Sequence, residues 1–185
     1  MDIHKTSVII NISTGILTGK DILCSRKLIR DLVGVFGNEQ VRAELPADDL
    51  VYEVQAYLPV DEGKEGGLFF GNSTVYPGKV DKEYYMTRGH FHRDLNAAEF
   101  YWCIKGEGVL ILMDVERKVC AEKMQPGSLH YIPGGMAHRV ANTGAHKLVF
   151  NACWSSDAGH NYQDIDHHGF SARLEEVAGK PVLMP

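Results

Sequence analysis

From Leu50 to Trp154 the chain is a succession of short apolar or alternating segments, each ended by glycine or proline, and this rhythm constrains the fold more than any other feature. The segments are Val51–Leu58, Leu68–Tyr76, Tyr84–His92, Glu99–Ile104, Val109–Asp114, Lys118–Met124, Leu129–Ile132, His138–Asn142 and Leu148–Trp154. Between them stand turn signals such as Pro77-Gly78, Lys105-Gly106-Glu107-Gly108, Gln125-Pro126-Gly127, Pro133-Gly134-Gly135 and Asn142-Thr143-Gly144. Many short strands at regular spacing predict an all-β sandwich or barrel, the double-sheet jelly roll among them. With 185 residues the chain has the length of one domain and can bury a core without staples. The expected division is an N-terminal extension over 1–49, a barrel core over 50–156 and a C-terminal tail over 157–185. In the extension, Leu23, Leu28, Leu32 and Val35 stand at helical spacing before Gly37, which predicts an amphipathic helix over Asp21–Phe36 on the barrel's outside or at a dimer seam. The tail is polar and His-rich, with a weak amphipathic piece at Leu174–Val177.

Charge and composition exclude several classes of function. The net charge is −5 and no run of Lys or Arg stands out, which argues against a nucleic-acid partner. The four cysteines, Cys24, Cys103, Cys120 and Cys153, are scattered without a Cys-x-x-Cys pair, so a disulfide scaffold is not expected. Met1-Asp2-Ile3-His4-Lys5 lacks the pattern of a secretory signal, and no run approaches the ~20 apolar residues of a membrane span. A soluble, cytoplasmic protein without membrane partners is expected.

The chemistry gathers in Gly89-His90-Phe91-His92, Glu99 and Pro133-Gly134-Gly135-Met136-Ala137-His138. On a strand, His90 and His92 point the same way and can grip one ion. Glu99 opens the next segment, and His138 comes from a distant one that closure of the sheet would bring in. Three imidazoles with one carboxylate suit Fe, Mn, Co, Ni or Zn rather than Ca or Mg. An octahedral ion would keep two cis positions for substrate oxygens, whereas four-coordinate Zn would be closed. One divalent transition metal per chain is expected; ligand type alone does not name it, catalysis favours Fe(II) or Mn(II), and Zn(II) is the further alternative.

Two spacings then coincide. Gly127, five residues, Pro133, one, Gly135, two, His138, three and Asn142 form one pattern; His90-x-His92, six residues, Glu99, six and Gly106 form the other. Over residues 89–142 they resemble the two signature motifs of the cupin superfamily, with a longer interval before Glu99 than the general pattern. That interval and the lead-in Tyr76-Pro77-Gly78-Lys79 resemble the cupin-type glucose-6-phosphate isomerases known chiefly from archaea. Val51-Tyr52-Glu53 and Asp157-Ala158-Gly159-His160-Asn161-Tyr162 extend the likeness to roughly Val51–Phe170. The resemblance implies a double-stranded β-helix, or jelly-roll barrel, with a few peripheral helices, and a homodimer paired by strand exchange that covers edge strands.

It further implies a metal-dependent aldose–ketose isomerase interconverting glucose 6-phosphate and fructose 6-phosphate. His90, His92, Glu99 and His138 would hold the metal, and Glu99 would also shuttle a proton between C1 and C2 through an enediol. Tyr52, Ser73, Thr87, Gly89, Tyr101, His160 and Tyr162 would meet the sugar phosphate, with Ser73 where the family has Thr and Trp154 where it has Tyr. Arg88 is expected to be a solvated surface residue, His130 to pack, and His167-His168 to sit in a solvated loop. His4 and His146 carry no pattern. Two other readings keep the same ligand set: another metal-dependent cupin enzyme, such as a different sugar-phosphate isomerase or a dioxygenase, and a non-catalytic sugar-binding cupin.

Overall fold

The structure, a computed structural model, describes residues 2–185. In chain order its strands are β1 (Val8–Ile10), β2 (Leu17–Gly19), β3 (Ile22–Leu28), β4 (Leu50–Tyr57), β5 (Leu68–Val75), β6 (Lys79–Val80), β7 (Glu83–Tyr84) and β8 (Glu99–Lys105). There follow β9 (Gly108–Met113), β10 (Val119–Met124), β11 (Leu129–Ile132), β12 (Ala137–Asn142), β13 (Leu148–Ser155), β14 (Arg173–Val177) and β15 (Lys180–Met184). Helix α1 (Glu39–Glu44) precedes β4 and α2 (Gln163–His168) follows β13. The molecule is all-β with two peripheral helices.

A six-stranded antiparallel sheet, ordered β11-β8-β13-β5-β4-β3, forms one wall of the barrel. A three-stranded sheet, β10-β9-β12, forms the other, and the core fills the space between them. Register sets what the large sheet presents. Ser25 lies opposite Val54, Val54 opposite Ser73, Ser73 opposite Phe150; one step along, Ala152 lies opposite Tyr101 and Tyr101 opposite His130. Residues two apart share a face, so Lys27, Tyr52, Val54, Ser73, Phe150, Ala152, Tyr101 and Glu99 all look to one side. Strand β12 is buried along its whole length because the C-terminal segment around Phe170 covers its outer face. Asn142 locks the β12–β13 corner: its Nδ2 donates to the carbonyls of Val75 and His146, at 2.9 and 2.8 Å, and its Oδ1 accepts from Gly144 N at 2.9 Å.

Strands β4, β5 and β8–β13 stand where the turn punctuation predicted them. The segment Tyr84–His92 does not form the expected strand. Only Tyr84 belongs to β7, and the rest is held by isolated bridges, Met86 to Ala141, His90 to His138 and Phe91 to Asn161. The interruption is at Gly89, whose φ of +80° is strained for any other residue, and where a Cβ would lie 2.7 Å from the Phe170 ring.

The predicted amphipathic helix over Asp21–Phe36 is absent. Ile22–Leu28 is instead strand β3, paired antiparallel with β4, and a single 3-10 turn follows at Ile29–Asp31. The exposed edge of β4 offers a ladder of hydrogen bonds that a helix would leave unmade, and Ile22, Cys24 and Ser25 are weak helix formers. Ile29, Leu32, Val35 and Phe36 are still buried, but from an irregular strap. The helix of this region is α1, which the sequence reading missed; Asn38 caps it by accepting from Val41 N at 3.1 Å. The amphipathic piece Leu174–Val177 lies in strand β14, which forms a hairpin with β15 across Ala178-Gly179, both at positive φ. Among the described residues no helix is long and apolar enough to cross a membrane.

Candidate metal and sugar-phosphate site

His90 and His92 come from the bridged segment, Glu99 from the first residue of β8, and His138 from β12. Residues that lie far apart in sequence thus converge because the two sheets close on each other. One ligand atom from each of the four lies within 4.8 Å of the others. His92 Nδ1 is 2.9 Å from the Ala97 carbonyl and His138 Nδ1 is 3.2 Å from the Met136 carbonyl. A carbonyl can only accept, so both rings carry a proton on Nδ1 and turn Nε2 inward. Each of these Nε2 atoms stands 3.2 Å from the same carboxylate oxygen, Glu99 Oε2. Two imidazole lone pairs facing one carboxylate oxygen repel unless a proton or a cation lies among them.

The buried Nε2 atoms of His90 and His138 have no hydrogen-bond partner. Orphaned polar atoms are uncommon in protein interiors, and here both point into one cluster. Burial, reinforced by the neighbouring imidazoles, pushes His90 well below its ordinary pKa, so its lone pair is free at neutral pH. Burial also opposes the charge of Glu99, but the His138 and His92 imidazoles beside it outweigh burial and hold the carboxyl below its usual value. The donor set, its protonation and its orphaned atoms fit a divalent transition metal.

A cavity of about 250 Å³ opens beside this cluster. Of the residues proposed from sequence, Tyr52, Ser73, Thr87, Gly89, His90, Glu99, Tyr101, His138, His160 and Tyr162 line it, while His92 sits behind its wall. His160 lies 4.4 Å from His90 ring to ring, and stacks nearly parallel on Tyr162 at 5.9 Å. Burial keeps His160 below its ordinary pKa and pushes Tyr52 up to about 12. It drives Tyr101 well above its usual value too. The two tyrosine hydroxyls are therefore neutral donors. Thr87 Oγ1 accepts from Val140 N at 3.0 Å, which leaves its O–H free to donate. Trp154 also lines the cavity, its indole lying over Gly71, where a Cβ would come within 3.0 Å of the ring.

Arg88 differs from its expected place. It borders the cavity with its guanidinium 4.8 Å above the Tyr162 ring, and its Nε donates to Asp166 of α2 at 3.0 Å. The alternation that would have turned it outward fails because this segment is not a strand. Lys27 and Ser25 also line the cavity, and the sequence reading missed both. The helical reading of residues 21–36 hid them, since Ser25-Arg26-Lys27 is a polar run without a period-2 pattern.

Three other histidines lie off this cavity. His130 is buried, with Nδ1 2.6 Å from Glu122 Oε2 and Nε2 2.8 Å from Ser128 Oγ. That Ser–His–Glu series fixes the β10–β11 turn, as the packing expectation had it. His167 and His168 end α2 rather than a loop, and His168 faces Asp164 at 3.3 Å.

Comparison with known proteins identifies the family of the chain. A profile of the family "Glucose-6-phosphate isomerase (GPI)" matches residues 26–180. The glucose-6-phosphate isomerase of Thermococcus onnurineus is 40% identical over 175 residues, covering 92% of this chain and 89% of that one. That of Thermococcus kodakarensis is 41% identical with the same coverage, and that of Sinorhizobium medicae is 34% identical over 147 residues, 78% of this chain and 68% of its own. Among solved structures, oxalate decarboxylase from Bacillus subtilis superposes with a TM-score of 0.45 at 23% identity, over 59% of this chain and 26% of that one. The chain belongs to the glucose-6-phosphate isomerase family.

Proposed function

We propose that the chain interconverts glucose 6-phosphate and fructose 6-phosphate with one divalent transition metal held by His90, His92, Glu99 and His138. The observation that carries this reading is the convergence of four metal-ligating atoms within 4.8 Å, one of them a carboxylate, at the wall of a cavity in a chain of this family. Fe(II) is favoured, with Mn(II) and Zn(II) as alternatives. When bound, the ion supplies Lewis acidity toward the substrate carbonyl and its developing negative charge, a contribution of several kcal/mol.

The remaining work falls to side chains. Glu99 is the acidic residue at the cavity wall. It takes the proton from C2 of the open-chain aldose and returns it to C1 of the enediol, while the O2 hydroxyl proton passes to O1, a role worth about 10²- to 10⁴-fold in rate. Its lowered pKa keeps it ionised. Tyr101, His160 and Tyr162 orient the sugar hydroxyls near the cluster. Tyr52, Ser73, Thr87 and the Gly89 backbone hold the phosphate, with Lys27 and Arg88 as nearby cations. Hydroxyls and peptide N–H groups aimed at an anion need few formal charges. The chain pairs as a homodimer, consistent with the exposed apolar strip Phe100, Trp102, Leu129 and Tyr131 on the outer face of the large sheet.

The test is a coupled assay on fructose 6-phosphate before and after chelation, with Fe(II), Mn(II) and Zn(II) added back separately. Loss on chelation with recovery by one ion supports the reading. Binding of the sugar phosphate without turnover under any ion would make the chain a sugar-binding cupin. Turnover indifferent to chelation would remove the metal from the mechanism.

A further inference from the structure

Behind the Thr87–Arg88–Gly89 segment stands Arg139, only 4% exposed. Alternation along β12 turns it away from the face on which His138 looks to the metal cluster. Its guanidinium lies 4.0 Å over the Phe170 ring, Nη1 reaches Met86 Sδ at 3.2 Å, and Nη2 donates to the Arg88 carbonyl at 2.9 Å. Its Nε is buried and has no partner. Among the described residues no carboxylate pairs with it; Glu83, the nearby acid, faces Arg173 at 3.1 Å instead. A buried cation without an anion is costly, and an apolar side chain of similar length would fill the same space more cheaply.

The cavity side of that hydrogen bond gives the charge a use. The chain has no cis peptide bond, so the Arg88 carbonyl and the Gly89 N–H point in opposite directions across their shared peptide plane. With the carbonyl anchored on Arg139, the N–H turns toward the cavity that Gly89 lines. Gly89 N makes no hydrogen bond to another described residue. A charged donor on the carbonyl also polarises the peptide and strengthens its N–H. The lack of a side chain at position 89 is part of the arrangement, since a Cβ there would come within 3.0 Å of Arg139 Cβ.

We propose that Arg139 is a positioning residue for the substrate's anionic end, aiming and polarising the Gly89 N–H from behind without touching the ligand. This rests on the phosphate end assigned under Proposed function. The test compares metal-loaded Arg139→Gln and Arg139→Lys with the unaltered protein. It reads KM and kcat for fructose 6-phosphate, the affinity for inorganic phosphate by calorimetry, and metal content. Arg139→Gln is expected to raise KM and the phosphate Kd about tenfold or more, with kcat changed less than about threefold and metal content unaltered. Arg139→Lys, which keeps a charged donor, recovers most of the loss. Unchanged KM and phosphate affinity in Arg139→Gln would overturn the proposal. So would a joint fall in kcat and metal content at constant KM, which would tie the residue to His138 instead.

Should Arg139→Gln fail to fold, the ¹⁵N-labelled native protein still decides. The Gly89 amide proton must move downfield on adding inorganic phosphate, and a stationary resonance defeats the idea. A protein that shows this shift but never isomerises fructose 6-phosphate would overturn the functional reading while leaving the role of Arg139 standing.

Discussion

Glu99 carries the most consequential assignment at the scale of single residues. Replacing it by Gln removes the charge and the proton-accepting oxygen but keeps the shape. Turnover of Glu99→Gln is expected to fall about 10²- to 10⁴-fold at full metal loading; a variant that keeps both its metal and its turnover would leave a hydride shift between the carbons as the better mechanism. His92 would set the pH behaviour of a bound ion. Burial works against its cationic form, yet the hydrogen bond with Glu99 outweighs burial and holds its pKa above the ordinary value. An ion can take Nε2 only after that proton has left. Affinity therefore climbs as pH rises through the raised pKa and levels off above it. Calorimetry with Mn(II) from about pH 6 to about pH 8, in buffers of different ionisation enthalpy, should show about one proton released per ion, and a flat profile would count against it. The candidate ligands His90, His92, Glu99 and His138 were legible in the sequence because their spacing resembles a known pair of motifs. The hydrogen bonds that set their tautomers were not, since Ala97 and Met136 take part through backbone carbonyls that every residue has.

Whole elements were legible where punctuation was strong. Leu129–Ile132 and its neighbours sit between Gly and Pro turns, and those turns delimit strands whatever the tertiary context. Ile22–Leu28 was not, because its apolar spacing satisfies a helix as well as a half-covered edge strand, and only the open side of β4 decides between them. That error concealed Lys27. Exchanging it for Met should raise KM for fructose 6-phosphate about fivefold to tenfold with kcat nearly constant, measured by steady-state kinetics; an unchanged KM would place its ammonium in solvent. The N-terminal residues lie over the outer face of the same sheet, where Gln55 clasps Leu17, accepting from its N–H at 2.9 Å and donating to its carbonyl at 3.1 Å. Gln55→Ala leaves both backbone groups of half-covered chain unpaired. It should lower stability by about 1–3 kcal/mol in urea titrations, whereas no loss would mean the strap contributes little.

Taken as one body, the molecule draws its ligands from parts of unequal stiffness. Glu99 belongs to a strand paired on both sides and His138 to an edge strand paired along its length with β9, while His90 and His92 ride on a stretch tied down by three isolated bridges. An ion shared among the four would act as a stitch, fastening the loosest border of the barrel to its firmest walls. Amide hydrogen exchange of residues 87–92 is accordingly expected to slow on metal loading while that of β8 and β12 stays put, and equal slowing everywhere would show the stitch to be unneeded. The same stretch also carries Thr87 and Gly89 at the phosphate end. Stripping the ion should thus blunt recognition of a group the ion never touches, so that starvation for metal would reach the protein first as weakened hold on its substrate.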